Sequence, residues 1–108
     1  MNDLKKLSPL TEVTYYILLS VIEPLHGYGI IKKVERMSNH RLTIAAGSLY
    51  GAISALLENQ CIIQIQNPHE DRKKLYQITD KGKTLLQVEI QRLSEMVRNG
   101  QEEMRTHQ

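Results

Sequence analysis

Between Gly47 and Glu58 the chain reads Gly-Ser-Leu-Tyr-Gly-Ala-Ile-Ser-Ala-Leu-Leu-Glu, and two kinds of residue recur there at helical spacing. Leu49, Ile53, Leu56 and Leu57 form an apolar stripe suited to a core. Gly47, Ser48, Tyr50, Gly51 and Ser54 share the other face, which carries one aromatic ring among very small residues and no charge. Such a face can come close to a flat or grooved partner. A tyrosine hydroxyl can donate to a phosphate or a base edge while its ring lies against a thymine methyl. Ser48 and the free amides of the first helical turn suit a phosphate. Each glycine costs a helix about 1 kcal/mol relative to alanine, which makes sense where close approach matters. The plainer alternative is that Tyr50 is a half-buried packing aromatic and the glycines are incidental.

A second group of residues is basic. Arg72, Lys73 and Lys74 follow the turn sequence Asn67-Pro68-His69-Glu70-Asp71. Lys32, Lys33 and Arg36 fall on the outer face of an earlier helical stretch, with Arg41 close behind. Such groups add salt-dependent, sequence-blind affinity for a polyanion. Glu70 and Asp71 weaken the first cluster, and a plain solvated surface gives the same pattern. Residues 32–88 hold nine Lys or Arg against five acids, whereas both ends are slightly acidic. A basic middle between acidic ends points to a polyanion partner for that middle.

Catalytic and metal chemistry find no such support. Cys61 is the only cysteine, and it reads as a buried apolar residue. With His26, His40, His69 and His107 it has no metal-ligand spacing. No Ser-His-Asp, Walker or HExxH pattern occurs. The expectation is a protein that is not an enzyme, with no cofactor and no metal.

The elements that must position these residues follow from periodicity. Leu10, Val13, Ile17, Leu18 and Val21 predict a first helix over 10–22, with Ser8 and Pro9 marking its start. A second helix over 27–38 would bury Ile30 or Ile31, Val34 and Met37, and a third covers about 46–59. The period then changes to 2, with Ile63 and Ile65 alternating against Gln64 and Gln66. Residues 72–78 alternate again, so the two segments predict a hairpin about the turn at 67–71. Thr79 caps a last helix. On it Leu86, Ile90, Leu93 and Val97 make a heptad-like seam with Met96 and Met104 nearby, and the polar end beyond Gly100 is expected to fray.

The expected fold class is therefore mainly α with a two-stranded wing, the winged helix-turn-helix order, in which the third helix enters a DNA major groove. Residues 1–82 would form the DNA-binding domain and residues 83–108 a dimerisation helix. The 108 residues suit one small domain. No apolar run approaches the ~20 residues of a membrane span, the N-terminus lacks a secretion signal, and one cysteine fits a reducing cytoplasm.

Several elements also resemble the PadR family of bacterial transcriptional regulators. They are Leu25-His26-Gly27-Tyr28-Gly29-Ile30, Gly47-Ser48-Leu49-Tyr50, Leu56-Leu57-Glu58 and Leu75-Tyr76-Gln77-Ile78-Thr79-Asp80-Lys81-Gly82. The order and spacing of these elements, over about residues 8–100, carry the resemblance. It implies a homodimeric winged-helix repressor of double-stranded DNA, in which the last helix packs with the first helix of the partner copy. In the family the position of Tyr50 contacts DNA, the basic wing grips the backbone, and members are often released by phenolic acids or planar drugs. A small aromatic effector would here meet Tyr15, Tyr16, Leu93, Met96 and Val97. Three departures stand out. Cys61 lies where the family usually ends the third helix with Gly, which leaves Asn59 or Gln60 to supply the exit. Gly51 replaces a Pro. The last helix has no Trp, which argues against the mode in which that Trp stacks on flat drugs. A winged helix used only for protein contacts would keep the same pattern and lose DNA affinity.

Overall fold

Each helix starts where a side chain can take the place of a missing backbone partner, with one exception. In the computed structural model, which describes residues 7–66, 68 and 74–107, helix α1 spans Glu12–Ser20. The hydroxyl of Thr11 caps it by accepting from the Thr14 amide at 3.1 Å. The start expected at Ser8 and Pro9 therefore moves to Thr11, and Ile22 lies past the helix end. Helix α2 spans Gly27–Met37 and is capped by Nδ1 of His26, which accepts from the Gly29 amide at 3.2 Å. Its core stripe runs Ile30, Val34, Ser38, in steps of four, so Met37 is exposed rather than buried as expected. The buried Ser38 hydroxyl donates to the Glu35 carbonyl at 3.3 Å and accepts from the Leu42 amide at 3.0 Å, closing the turn into the next segment.

Helix α3 spans Ala46–Glu58 and buries Leu49, Ile53 and Leu56. Its exit is a Schellman motif. The Cys61 amide donates to the Leu56 carbonyl at 2.9 Å and the Gln60 amide to the Leu57 carbonyl at 3.0 Å. Gln60 takes the left-handed position with φ 63°, so it supplies the helix exit in place of glycine.

Strands β1 (Ile62–Gln66) and β2 (Lys74–Ile78) pair antiparallel, from Ile62 opposite Ile78 to Gln66 opposite Lys74. The expected alternation is present, but the residue that reaches the core is Ile62. Ile63 stays half exposed, because it points away from the face that Ile62 and Ile78 share. Leu25 pins β2 from its other side. Its amide donates to the Tyr76 carbonyl at 3.0 Å, and the Tyr76 amide donates back at 2.9 Å. The wing is thereby fixed to the segment that leads into α2.

Helix α4 spans Asp80–Thr106, is capped by Thr79, and is about 40 Å long at 1.5 Å per residue. It crosses residues 82 and 83 without a break. A Cβ at Gly82 would overlap the Cys61 carbonyl oxygen, so glycine lets the helix seat on the start of β1. Leu85 and Leu86 then join the core with Ile17, Leu18, Ile30, Leu49, Leu56 and Ile62. Each such buried side chain contributes about 1.5–3 kcal/mol. Glu89 is buried as well. Its carboxylate accepts from the Leu10 amide at 2.7 Å and from Arg92 at 2.9 and 3.0 Å, tying α4 to the segment before α1. The last turns do not end at Gly100. They continue to Thr106, where Arg105 pairs with Glu102 and the Thr106 hydroxyl donates to the Glu102 carbonyl at 3.0 Å.

Among the described residues, the architecture is four helices and a two-stranded antiparallel sheet in the winged helix-turn-helix order.

Candidate nucleic-acid interface

With Leu49, Ile53 and Leu56 locked in the core, the opposite face of α3 has one possible direction, outward. Gly47, Ser48, Tyr50, Gly51 and Ser54 are all exposed there. A Cβ built at Gly47 or Gly51 would have no heavy atom within 4 Å beyond the local backbone of its own helix. The protein's own packing therefore has no need of either glycine. The start of α3 also differs from the other three helices. Ala45 offers no side-chain cap, whereas Thr11, His26 and Thr79 cap theirs. The first-turn amides of α3 are left to an acceptor from outside, with the helix dipole favouring an anion.

Tyr50 is half exposed. Its ring reaches back across the start of α2, where a Cβ at Gly27 would overlap the Tyr50 phenol oxygen and lie 3.0 Å from Cζ. Tyr76, buried in β2, has its phenol pKa pushed up, first by burial and then by the neighbouring Tyr50 phenol. On the outer side of α2, Tyr28 is exposed and the Lys32 ammonium sits 5.4 Å from its ring centroid, a cation–π arrangement. The start of α2 and the outer face of α3 thus meet at Tyr50. Residue-type reasoning about binding overlooked His26, Gly27, Tyr28 and Tyr76. The signal for the first three was the His-Gly-Tyr element itself, a helix cap followed by a residue without a side chain.

The basic residues are distributed unevenly. Lys32 is exposed on α2, and Lys74 is exposed at the first position of β2. Arg41 is exposed but ion-paired with Glu12 of α1, which raises its pKa and directs its charge toward that helix. Arg72 and Lys73 lie outside the described residues.

Much of the exposed apolar surface is on α4. Leu86 is only 4% exposed and belongs to the core of its own chain, so it is removed from the seam expected on spacing. Leu93 is partly exposed, and Ile90 and Val97, two turns apart on either side of it, are 43% and 56% exposed. Between α1 and α4 lies a cavity of about 340 Å³ lined by Leu10, Tyr15, Tyr16, Glu89, Arg92 and Leu93 among others. Tyr15 and Tyr16 meet edge to face there at 5.7 Å. A second hollow of about 390 Å³ adjoins it over Tyr15, Ile90, Leu93 and Val97. Met96, expected beside the tyrosines, lines neither; its sulfur accepts from Arg92 Nη1 at 3.1 Å. Among the described residues no group of three or more His, Cys, Asp or Glu could hold a metal ion. No helix among the described residues is long and apolar enough to cross a membrane.

Known proteins share this fold. A transcriptional regulator from Clostridium thermocellum has 28% identity and a TM-score of 0.68, over 82% of this chain and 87% of its own. A PadR family transcriptional regulator from Eggerthella lenta has the same fold at 22% identity and a TM-score of 0.67, over 89% of this chain and 83% of its own. A 37.1 kDa protein of transposon TN4556 in Streptomyces fradiae is 34% identical over 73 residues, 68% of this chain. The chain spans only 20% of that relative's length. The sequence model of the PadR-like transcriptional regulators matches residues 17–88, well over half of the molecule and every element from α1 into α4. The chain belongs to the PadR-like family of transcriptional regulators.

Proposed function

We propose that the protein is a cytoplasmic repressor that binds double-stranded DNA as a homodimer, with α3 of each copy in a major groove. The observation that carries this reading is the outer face of α3: uncharged until Glu58 at its end, uncapped at its start, and bearing two glycines that the protein's own packing has no need of. A helix with that face can seat deeply in a groove, with its first-turn amides on a phosphate. It carries no Arg, Lys, Asn or Gln before Asn59, so it can supply few bidentate base contacts. Specificity then comes from close fit, DNA shape and the spacing of two half-sites. Gly47, Ser48, Tyr50, Gly51 and Ser54 form the groove face, while Lys32, Lys74 and the neighbouring Arg72 and Lys73 hold the backbone. Arg41 contributes only if it gives up Glu12.

Dimerisation uses Ile90, Leu93 and Val97 of α4, whose exposure as a stripe is costly for an isolated chain. The cavity beside Tyr15, Tyr16 and Leu93 opens next to that stripe, which supports a small aromatic effector bound where the two copies meet. Occupation of that site would alter the separation of the two α3 helices and release DNA. Hydroxyl-radical footprinting on the DNA upstream of the protein's own coding sequence tests the reading. The expected result is two protected half-sites about one helical turn (~10 base pairs) apart. Uniform or absent protection contradicts it and leaves a winged helix used for protein contacts.

A further inference from the structure

The proposed DNA reading leaves open what holds Tyr50, a half-exposed ring on the groove face, in one pose. We infer that Gly27 is a positioning residue for DNA recognition: by lacking a side chain it forms the slot that receives the end of the Tyr50 ring. The inference rests on the DNA reading and adds a residue of a different helix to it.

Three observations support the slot. Position 27 is the first of α2 and is buried, and it holds a glycine. Backbone conformation does not account for it, since no glycine among the described residues has a positive φ. What the missing Cβ does provide is room. The phenol oxygen of Tyr50 occupies that space, Cζ lies 3.0 Å from it, and the next atom, Leu49 Cδ2, lies at 3.5 Å, an ordinary contact. Tyr50 is thus the one neighbour that would have to move for a larger residue at position 27.

Tyr76 is buried in β2, where its backbone exchanges two hydrogen bonds with Leu25, and its phenol pKa is raised in part by that of Tyr50. Tyr50 itself is half exposed. A methyl group at position 27 would therefore drive the Tyr50 ring outward, off the start of α2 and into the volume a groove would fill. Because Tyr50 is half exposed, the ring can make that move without unpacking the core. Gly27 thereby links the start of α2 to the reading face of α3, so that two helices set one side chain.

A double-mutant cycle tests this. Wild type, Gly27→Ala, Tyr50→Ala and the double variant are compared by anisotropy on the footprinted duplex and by urea unfolding. Gly27→Ala is expected to weaken DNA binding about tenfold in the presence of Tyr50, in line with coupling between touching side chains. In the Tyr50→Ala background the same substitution should change affinity by less than about twofold. An equal loss in both backgrounds overturns the inference. If Gly27→Ala alone does not fold, recovery of folding in the double variant supports the slot, and failure of both overturns it. If wild type binds no duplex, the DNA reading itself fails. The unfolding arm then still decides the slot: destabilisation by Gly27→Ala only with Tyr50 present supports it, and equal destabilisation overturns it.

Discussion

Replacing Gly51 with alanine separates what the fold wants from what a partner wants. Gly51 lies in the interior of α3, and a Cβ there has no heavy atom within 4 Å beyond the local backbone of its own helix. No clash offsets the gain in helix propensity, so Gly51→Ala should stabilise the protein by about 1 kcal/mol. For a domain of this size that is a rise in Tm of about 4–8 °C. Gly47→Ala should gain less, because position 47 lies in the first turn, where fewer hydrogen bonds depend on it. If the glycines are there so that the helix can seat in a groove, the same methyl group intrudes on a fitted surface. Overpacking of that kind costs about 1–3 kcal/mol, a loss of about 5–150-fold in affinity. Urea unfolding followed by circular dichroism reads the first effect, and anisotropy of a labelled duplex reads the second. The result that refutes the reasoning is a stabilised Gly51→Ala variant that binds DNA as tightly as wild type.

Other expectations follow from particular contacts. Glu89→Gln keeps an acceptor for the Leu10 amide but loses the charge that faces Arg92, so unfolding in urea should show a loss of about 1.5–3 kcal/mol. The Glu89 carboxyl is held below the usual carboxylate range by Arg92 and the Leu10 amide. Its contribution is therefore full above the unfolded value near 4.5 and is lost as pH falls through the lower folded value, and acid titration of Glu89→Gln should lack that component. Gln60→Gly relieves the left-handed backbone at the α3 exit, where a side chain costs roughly 1–2 kcal/mol, so a higher urea midpoint is expected even after the added freedom of glycine in the unfolded chain. Ile90→Asp combined with Val97→Asp should give a folded monomer by light scattering, since both side chains are exposed within the chain; a persistent dimer would place the interface elsewhere.

Much of this structure was legible in the sequence because helical periodicity and burial agree wherever a helix packs on one side only. The α3 stripe of Leu49, Ile53 and Leu56 and its bare opposite face were readable for that reason, as was the Thr79 cap. Misreadings arose where a second contact took over. Met37 was assigned to the core by a step of three, but Ser38 took the site because its hydroxyl could close the turn to Leu42. Leu86 fitted the α4 seam by spacing, yet the first turns of α4 pack on their own chain, and only tertiary contact decides which part of a long amphipathic helix is left for another copy. The alternation of Ile63 and Ile65 left Ile62 unassigned, and the register against Ile78 is what brings Ile62 inward. In the candidate site, the residue types on α3 were visible from the start. The setting of Tyr50 was not, because Gly27 is distant in sequence and acts through the side chain it lacks.

The central claim is that this face binds DNA in a dimer, and one titration tests it most directly. Wild-type protein is titrated into its labelled upstream duplex, and into a shuffled duplex, at two salt concentrations with anisotropy as the readout. The account predicts tighter binding to the upstream duplex by about 10³-fold or more, with affinity for both falling steeply as salt rises. Equal affinity for the two duplexes, or affinity that does not change with salt, would contradict it.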